Sequence, residues 1–513
     1  MLPLYELVDL RLSPAEIFPA FLEEPYPVFL DSGMSPERLG RYSYVTADPL
    51  AVLKSKGDRY ELQEGARRRM GKGDPFLELQ RQLGQGRLPL LPGLPPFQGG
   101  WAGYFGYELG RHVERLPSTV VDDLGLPDLF VCLYDWVMAH DHVDGRTWLF
   151  ADGGPEGDPR VARERLAWAK SKVSQWTGSH HVECSTTSQA AAGATLQGKS
   201  RNGSRMATAS PGVSEAGDKS QRGLGVGARF PRPGDGHQPL NANFTHEAYV
   251  RAVEKVKDYI LAGDTYQVNL SQRFDAPLPC PPWTLYTLLR EINPAPFAAY
   301  LQYPELTVLS ASPEQFLKLE NGIVETRPIK GTRPRGANPE LDRRLAQELL
   351  DSEKDRAENL MIVDLLRNDL GRVCRTGSVA VPELFVLEEY PTVFHLVSTV
   401  VGRLPEEIDA VALLRACFPG GSITGAPKIR AMEVIDELEP TERGVYCGSI
   451  GYLGHNGCMN TSIVIRTMVV RDGRVYFQAG GGIVADSDPE GEYQETLDKA
   501  RALVLALAEA GSR

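Results

Sequence analysis

The clearest periodicities lie in the C-terminal half of the chain. After Thr245, apolar residues recur at Tyr249, Val250, Val253, Val256 and Ile260, the spacing of one helix face, and Gly263 is placed to end that helix. The next stretch, "YQVNLSQRF", alternates. Tyr266, Val268 and Leu270 fall on one side and Gln267, Asn269 and Ser271 on the other, which predicts a strand. More strands are predicted in "AAYLQYPELTVLSASP", "QFLKLENGIVETRP" and "CGSIGYLGHNGCMNTSIVIRTMVVRDGRVYFQAGGGIV", with Asn456-Gly457 and Asp472-Gly473 as hairpin turns. Two further helices are predicted. Over 351–373, Leu360, Val363, Leu366 and Leu370 form a core-facing stripe, and 488–511 reads as a helix throughout. Strands and helices do not alternate regularly, so the pattern predicts an α+β fold with antiparallel sheets.

Residues 1–177 have the composition of a folded region and end in the helical pattern "RERLAWAKSKVSQW". The texture changes over 178–240, which is rich in Gly, Ser, Ala and Thr and nearly free of large apolar residues. Such a stretch cannot bury enough surface to offset its ordering entropy, so it reads as a linker or disordered insertion. His180, His181 and Cys184 within it are metal-capable residue types, but a linker gives them no scaffold. The chain thus divides into 1–177, a low-complexity 178–240, and 241–513.

Composition narrows the function classes. Of 513 residues, 42% are apolar and 24% charged, ordinary for a soluble globular protein. The net charge of −12 disfavours a nucleic-acid partner. No run is long and apolar enough to span a membrane, and the start lacks the basic-then-apolar pattern of a signal peptide. The seven cysteines are scattered and form no CxxC, which fits a reducing, cytoplasmic setting.

Four segments carry candidate chemistry. In "ETRPIKGTRPRG", Lys330 stands alone in a stiff, basic stretch, as a surface charge, a phosphate clamp or a nucleophile. Asp355 and Glu358 share a helix face at i, i+3, and Glu492, Glu495 and Lys499 share another. These could be solvated faces; facing each other, they would make a carboxylate cluster that calls for a divalent cation. In "FPGGSITGAPKIRAMEVIDELEP", Thr424 and Lys428 flank a helix start opened by Pro427, an arrangement that can hold an anion. Gly480-Gly481-Gly482, expected just before a strand, could cradle a carboxylate through backbone N–H groups. Arg466 sits among apolar residues and needs a partner, either a substrate carboxylate or a structural acid. His395 is a lone histidine among apolar neighbours, the pattern of a satisfied core side chain. GxSxG, HExxH, GxGxxG and the P-loop are absent.

Taken together, "YQVNLSQRF", "SPEQFL", "ETRPIKGTRPRG", "KDRAENLMIVDLLRNDLGRV", "GSITGAPK" and "GGGIVADSDPEGEYQETLDKA" resemble the chorismate-utilising enzymes over nearly all of 241–513. "FLDSG" with "GRYSY", and "FQGGWAGYFGYELG", resemble the glutamine-dependent members. The resemblance implies a four-layer sandwich, with two antiparallel sheets inside and helices outside, and a chorismate–Mg²⁺ site between the sheets. It implies Glu358 and Glu495 as Mg²⁺ ligands, with Asp355 and Glu492 as outer-shell neighbours. It places Gln267, His395, Thr424, Tyr446, Arg466, Gly481, Gly482 and Lys499 against substrate, and Glu314 as general acid. Gln267 stands where water-adding members resemble one another in having a lysine base, which disfavours hydration. "PIKGT" puts Lys330 where the aminodeoxychorismate synthases have a nucleophile and anthranilate synthases read "PIAGT". Catalysis of that kind needs a neutral amine, and Arg327, Arg333, Arg335, the metal and desolvation would all favour it.

The implied activity is conversion of chorismate and ammonia to 4-amino-4-deoxychorismate, a transferase step toward para-aminobenzoate and folate. The alternative is anthranilate formation with loss of pyruvate. A non-catalytic chorismate or tryptophan sensor is the reading from a different class. No glutaminase elbow is present, so ammonia is expected from a separate glutamine amidotransferase subunit. By the same resemblance Leu30, Asp31, Ser32, Arg41, Tyr42, Ser43, Pro296 and Phe297 surround a tryptophan pocket, although "LDSG" departs from the "LLES" of feedback-inhibited members.

Overall fold

A computed structural model describes residues 3–34, 39–84, 88–154, 157–178, 186–187, 240–390 and 393–512. His180, His181, Cys184 and nearly all of 178–240 lie outside the described residues. Among those described, the strands form two antiparallel sheets of 13 and 12 members.

Burial alternates by side along the strands and defines the layers. In Leu129–Tyr134, Leu129, Val131 and Leu133 join one apolar cluster, while Phe130, Cys132 and Tyr134 join another. Gly100–Phe105 splits the same way, with Trp101 and Phe105 on one side and Ala102 and Tyr104 on the other. The middle cluster draws on both sheets, pairing Phe130 and Tyr452 from one with Trp148, Leu301 and Val308 from the other. The outer faces are covered by helices, Pro75–Leu83 and Glu353–Gly371 on one sheet, Pro159–Gly178 and Pro489–Ser512 on the other. The result is the four-layer α+β sandwich. The central strands of both sheets are buried on both faces, so several of them, such as Gly100–Phe105 and Leu129–Tyr134, are buried throughout rather than alternating.

The stretches 1–177 and 241–513 share both sheets. Val28–Asp31 pairs with Tyr42–Thr46 on one side and with Phe297–Gln302 on the other. Gly100–Phe105 pairs with Ser449–Gly454.

Local expectations meet the structure unevenly. The helix His246–Leu261 starts with the Thr245 hydroxyl accepting the Ala248 N–H at 3.2 Å, and Gly263, at φ +84°, lies just past its end. Asp472-Gly473 forms a two-residue hairpin turn between Arg471 and Arg474. Asn456-Gly457 instead lies in the longer 454–458 connection. Leu360 is solvent-exposed, and the buried stripe of its helix runs through Asn359, Ile362, Val363, Leu366 and Leu370. Gly480–Gly482 sit inside the strand Arg474–Ile483, paired with Ser271, Leu270 and Asn269, not ahead of it.

Candidate active site

Lys330 lies on the strand Ile329–Pro334, at a bulge. Ile329 pairs with Val397 and Thr332 with His395, so one strand spends three steps where its partner spends two. Gly331 takes φ +82° there, and a Cβ on it would lie 2.9 Å from the Asp355 Cβ, so only glycine lets the Glu353–Gly371 helix approach. The bulge aims the Lys330 side chain inward, where its amine donates to the Ser422 carbonyl at 3.2 Å. Burial lowers its pKa, as does the Lys499 ammonium, while Glu358, Glu314 and Glu495 pull the other way. The nearby arginines do not do this work. Arg327 pairs with Glu383 and Glu388, Arg333 with Glu348 and Asp355, and Arg335 with Asp342. Their charges are taken up by these acids, so the expected desolvation acts without them, with Lys499 as the second contributor.

Glu314 occupies the turn between Thr307–Ser312 and Gln315–Glu320, anchored by its N–H to the Ser312 hydroxyl and by its carbonyl to the Ile463 N–H. It is 5% exposed, and burial pushes its carboxyl up to about 7 against a hydrogen bond from Ser422 and the charge of Lys330. Burial alone supplies the raised value, so near neutral pH this group can hold a proton and give it up.

The two acidic helix faces meet around this pair. Burial raises the pKa of Glu358, and Asp355 and Glu495 push it the same way. Burial also raises Glu495, but Lys499, one helical turn on at 2.5 Å, outweighs it and the net shift is downward. Glu492 accepts the Ser487 hydroxyl at 2.6 Å on one oxygen; the other is buried without a partner. Asp355 is held by Arg333 at 3.1 Å. The site offers oxygen donors, one of them orphaned, beside a glycine whose missing side chain leaves space, and this fits a hard divalent cation. Among the described residues the one tight three-acid group lies elsewhere, at Glu108, Asp128 and Glu442. It already has a cation: the Lys56 ammonium sits 3.0 Å from Asp128 and 2.9 Å from Glu442.

The remaining residues divide into those the site gathers and those committed to structure. Gln267 is fully buried, donates to the Asn269 side chain at 3.3 Å, and leaves its own carbonyl oxygen unpartnered. A Cβ on Gly482 would strike the Gln267 amide at 2.2 Å, so the two are matched. His395 is no solitary core residue: its Nδ1 shares a hydrogen bond with the Thr332 hydroxyl at 2.9 Å, and burial with the Arg466 charge pushes its pKa down to about 4, leaving it neutral. Arg466 sits at φ +54° between two strands and donates to the Lys499 carbonyl. Among the described residues no acid lies in salt-bridge range of it, so no structural acid takes up its charge, and its electrostatic neighbours are Tyr446, Glu495 and His395. Lys499 donates to the Gly480 carbonyl at 2.8 Å as well as to Glu495. Tyr446 lies beside the Arg443 guanidinium. The Thr424 hydroxyl is spent on the carbonyls of Gly420 and Gly421. Lys428 is bound to Asp369 at 2.6 Å and the Cys417 carbonyl, so it serves the fold and is not free to hold an anion.

Sequence reasoning missed Ser422, whose carbonyl accepts from both Lys330 and Asn269. It also missed Arg443, which is buried and bonded to Glu439 and to the carbonyls of Ile423 and Asn269. Neither stands out in the sequence, since each acts through contacts between distant segments.

In the N-terminal pocket, Asp31 accepts from Arg290, from the Tyr286 hydroxyl at 3.1 Å and from the Ser43 hydroxyl at 3.3 Å. Ser43 also meets His142 at 2.7 Å and the Ser32 N–H at 2.9 Å, and Ser32 donates to the carbonyls of Tyr42 and Pro296. Leu30 pairs with Tyr44, Phe297 starts the adjoining strand, and Arg41 turns away to Asp141. The sequence-derived residues are thus neighbours, but their polar groups are bonded to one another.

Comparison with known proteins gives the family and the fold. The family described as chorismate binding enzyme matches residues 37–505. Aminodeoxychorismate synthase component 1 from Klebsiella aerogenes is 42% identical over 491 residues, 96% of this chain and 95% of that protein. Anthranilate synthase component 1 from Pseudomonas aeruginosa is 38% identical over 503 residues, 97% of this chain and 93% of that protein. The crystal structure of anthranilate synthase component I from Streptococcus pneumoniae superposes with a TM-score of 0.71 at 30% identity, covering 90% of this chain and 92% of that one. The chain belongs to the chorismate-binding enzyme family.

Proposed function

We propose that this chain is the synthase component that converts chorismate and ammonia to 4-amino-4-deoxychorismate, through a covalent intermediate on Lys330. The observation that carries the proposal is the state of Lys330. Its amine is buried, its pKa is lowered, and its partner is an uncharged carbonyl beside a carboxyl whose pKa is pushed up to about 7. A lowered pKa moves the amine toward its nucleophilic neutral form, and a carboxyl that holds a proton near neutral pH is an acid, so the pair suits displacement of a hydroxyl.

The amine of Lys330 adds to C2 of the ring, the two ring double bonds shift, and the C4 hydroxyl leaves as water with the Glu314 proton. Ammonia then adds at C4, the double bonds shift back, and the C2–N bond breaks to return the amine of Lys330. Glu314 takes the surplus proton from the new C4 ammonium. Arg466 and Lys499 supply positive charge for substrate carboxylates, and neutral His395 supplies a hydrogen-bonding edge. Glu358 and Glu495, with Glu492 and Asp355 behind them, would hold Mg²⁺. Bound there, the ion would orient the ring carboxylate and neutralise its charge. Ammonia would come from glutamine through a partner amidotransferase, which accords with the "component 1" in the relatives' names. A cytoplasmic setting accords with the free thiols among the described cysteines.

Relatives named anthranilate synthase match at nearly the same identity and favour a second reading, with anthranilate and pyruvate as products. Incubating the chain with chorismate, Mg²⁺ and ammonium and separating products by mass decides between them. Aminodeoxychorismate without pyruvate, lost in Lys330→Ala, is the expected result. Anthranilate with pyruvate would overturn the proposal, and no turnover at all would favour a sensor.

A further inference from the structure

Asn269 follows Gln267 on the strand Gln267–Pro277, on the side opposite Val268 and Leu270, which pack into an apolar cluster with Tyr249 and Ile435. Each of its polar groups is engaged. Its N–H donates to the Thr424 carbonyl at 2.8 Å and its carbonyl accepts from Arg443 at 2.8 Å, so its backbone is fixed. Its side-chain amide donates to the Ser422 carbonyl at 2.7 Å and accepts from the Gln267 amide at 3.3 Å. The same Ser422 carbonyl accepts from the Lys330 amine at 3.2 Å. Space for the two amides comes from the facing strand. Asn269 pairs with Gly482, where a Cβ would lie 2.2 Å from Gln267 Nε2 and 2.9 Å from Asn269 Oδ1.

From this geometry we infer that Asn269 is a positioning residue that sets the direction of the Ser422 carbonyl and, through that carbonyl, of the Lys330 amine, an inference that rests on the function proposed above. A carbonyl oxygen has two lone pairs and nothing to donate. Asn269 takes one lone pair, so the other is left for Lys330 and the amine is held in one direction. An amine that gives one N–H to that oxygen keeps its own lone pair for attack. Because the Ser422 oxygen can only accept, Asn269 must turn its NH₂ to it and its own oxygen to Gln267. Gln267 must then turn its NH₂ to Asn269, which leaves the Gln267 carbonyl oxygen buried and without a partner among the described residues. One carbonyl thus orders Lys330, Asn269 and Gln267 together. The amide does this without adding charge, whereas a carboxylate at position 269 would hold Lys330 as ammonium.

Asn269→Leu is close in size and removes both side-chain bonds. The expected result is a fall in kcat of about 10-fold, the scale of a neutral hydrogen bond, with KM for chorismate nearly unchanged and the protein folded at the assay temperature. Asn269→Asp keeps the shape and the acceptor for Gln267 but turns a carboxylate oxygen toward the Ser422 carbonyl, and it is expected to lose at least as much. Rapid mixing with chorismate and Mg²⁺ in the absence of ammonia, followed by mass analysis of Lys330, reads the first step directly. The adduct should form in wild type and form more slowly in both variants. An adduct rate equal to wild type in either variant overturns the inference and leaves the Lys330 reading standing. A rise in KM with kcat unchanged would assign Asn269 to binding, and losses that track the loss of folded protein would assign it to folding; either overturns the inference. Absence of an adduct in wild type together with an active Lys330→Ala removes the reading on which the inference rests, and the inference with it.

Discussion

Gly481 faces Glu492 across the strand–helix contact: a Cβ at position 481 would lie 2.9 Å from the unpartnered Glu492 oxygen and 3.2 Å from Glu495. The carboxylates of one helix therefore occupy space that the neighbouring strand leaves open. That space is where a cation would take its oxygen ligands.

Gly481→Ala is accordingly expected to weaken divalent-cation binding with little effect on folding. The methyl meets the free ends of two flexible side chains, which can turn aside without straining the fold, and a displacement of these ligands that costs about 1–3 kcal/mol lowers affinity roughly 5- to 150-fold. Titration of Mg²⁺ or Mn²⁺ into the chorismate-bound protein, followed by intrinsic fluorescence, measures the shift. An unchanged affinity would place the ion away from Glu492 and Glu495.

Glu314 makes two pH dependences that share one cause. Its folded pKa is pushed up to about 7 by burial, above the ordinary 4.5. The protonated form is the acid, so kcat should fall as pH rises through about 7. Stability moves in the same direction. The unfolded chain binds fewer protons between about 4.5 and about 7, so the protein loses stability as pH rises across that window, on the order of 3 kcal/mol in total. Glu314→Gln should therefore be nearly inactive yet melt higher than wild type at pH 8. Melting curves at pH 5 and pH 8 check this; an equal difference between the two proteins at both values would contradict it.

These predictions rest on contacts that the sequence exposed only in part. The capped helix after Thr245, the strand from Gln267 and the Asp472-Gly473 turn depend on neighbouring residues and were readable. The proximity of Lys330, Glu314, Glu358 and Glu495 came from the family resemblance, because no local pattern joins residues that far apart. What stayed hidden was the outcome of competition for partners. Lys428 looks free until Asp369, 59 positions away, is seen to hold it. Arg327, Arg333 and Arg335 look like a field around Lys330 until their acids are located. The N-terminal strands were unreadable for another reason. Strands such as Leu129–Tyr134 are buried on both faces, which erases the period-two signal.

Arg443 should be among the most sensitive positions for stability. It is 4% exposed, bonded to Glu439, and stacked against Tyr107 and Tyr446. Arg443→Met keeps the bulk but leaves Glu439 as an uncompensated buried charge, a loss of about 3–5 kcal/mol. A large fall in melting temperature is expected. The double variant Arg443→Met/Glu439→Gln should recover part of it, because the stranded charge is then gone. No recovery would mean that the carbonyls of Ile423 and Asn269, rather than Glu439, are what Arg443 serves.

The N-terminal pocket leads to a prediction about regulation. An incoming amino acid needs an acceptor for its ammonium and a donor for its carboxylate. Asp31, the acceptor, is buried and already holds Arg290, Tyr286 and Ser43, and the Ser32 hydroxyl already donates to two carbonyls. A ligand would have to break this network and strand at least one buried charge, a cost of several kcal/mol. Tryptophan is therefore expected to leave the rate of chorismate consumption unchanged at concentrations that saturate feedback-inhibited relatives. Arg290→Ala should lower the melting temperature without creating tryptophan sensitivity, since the vacated Asp31 would favour the ammonium but no donor would remain for the carboxylate. Inhibition of the wild type by tryptophan would show that the Asp31–Arg290 pair opens to admit it.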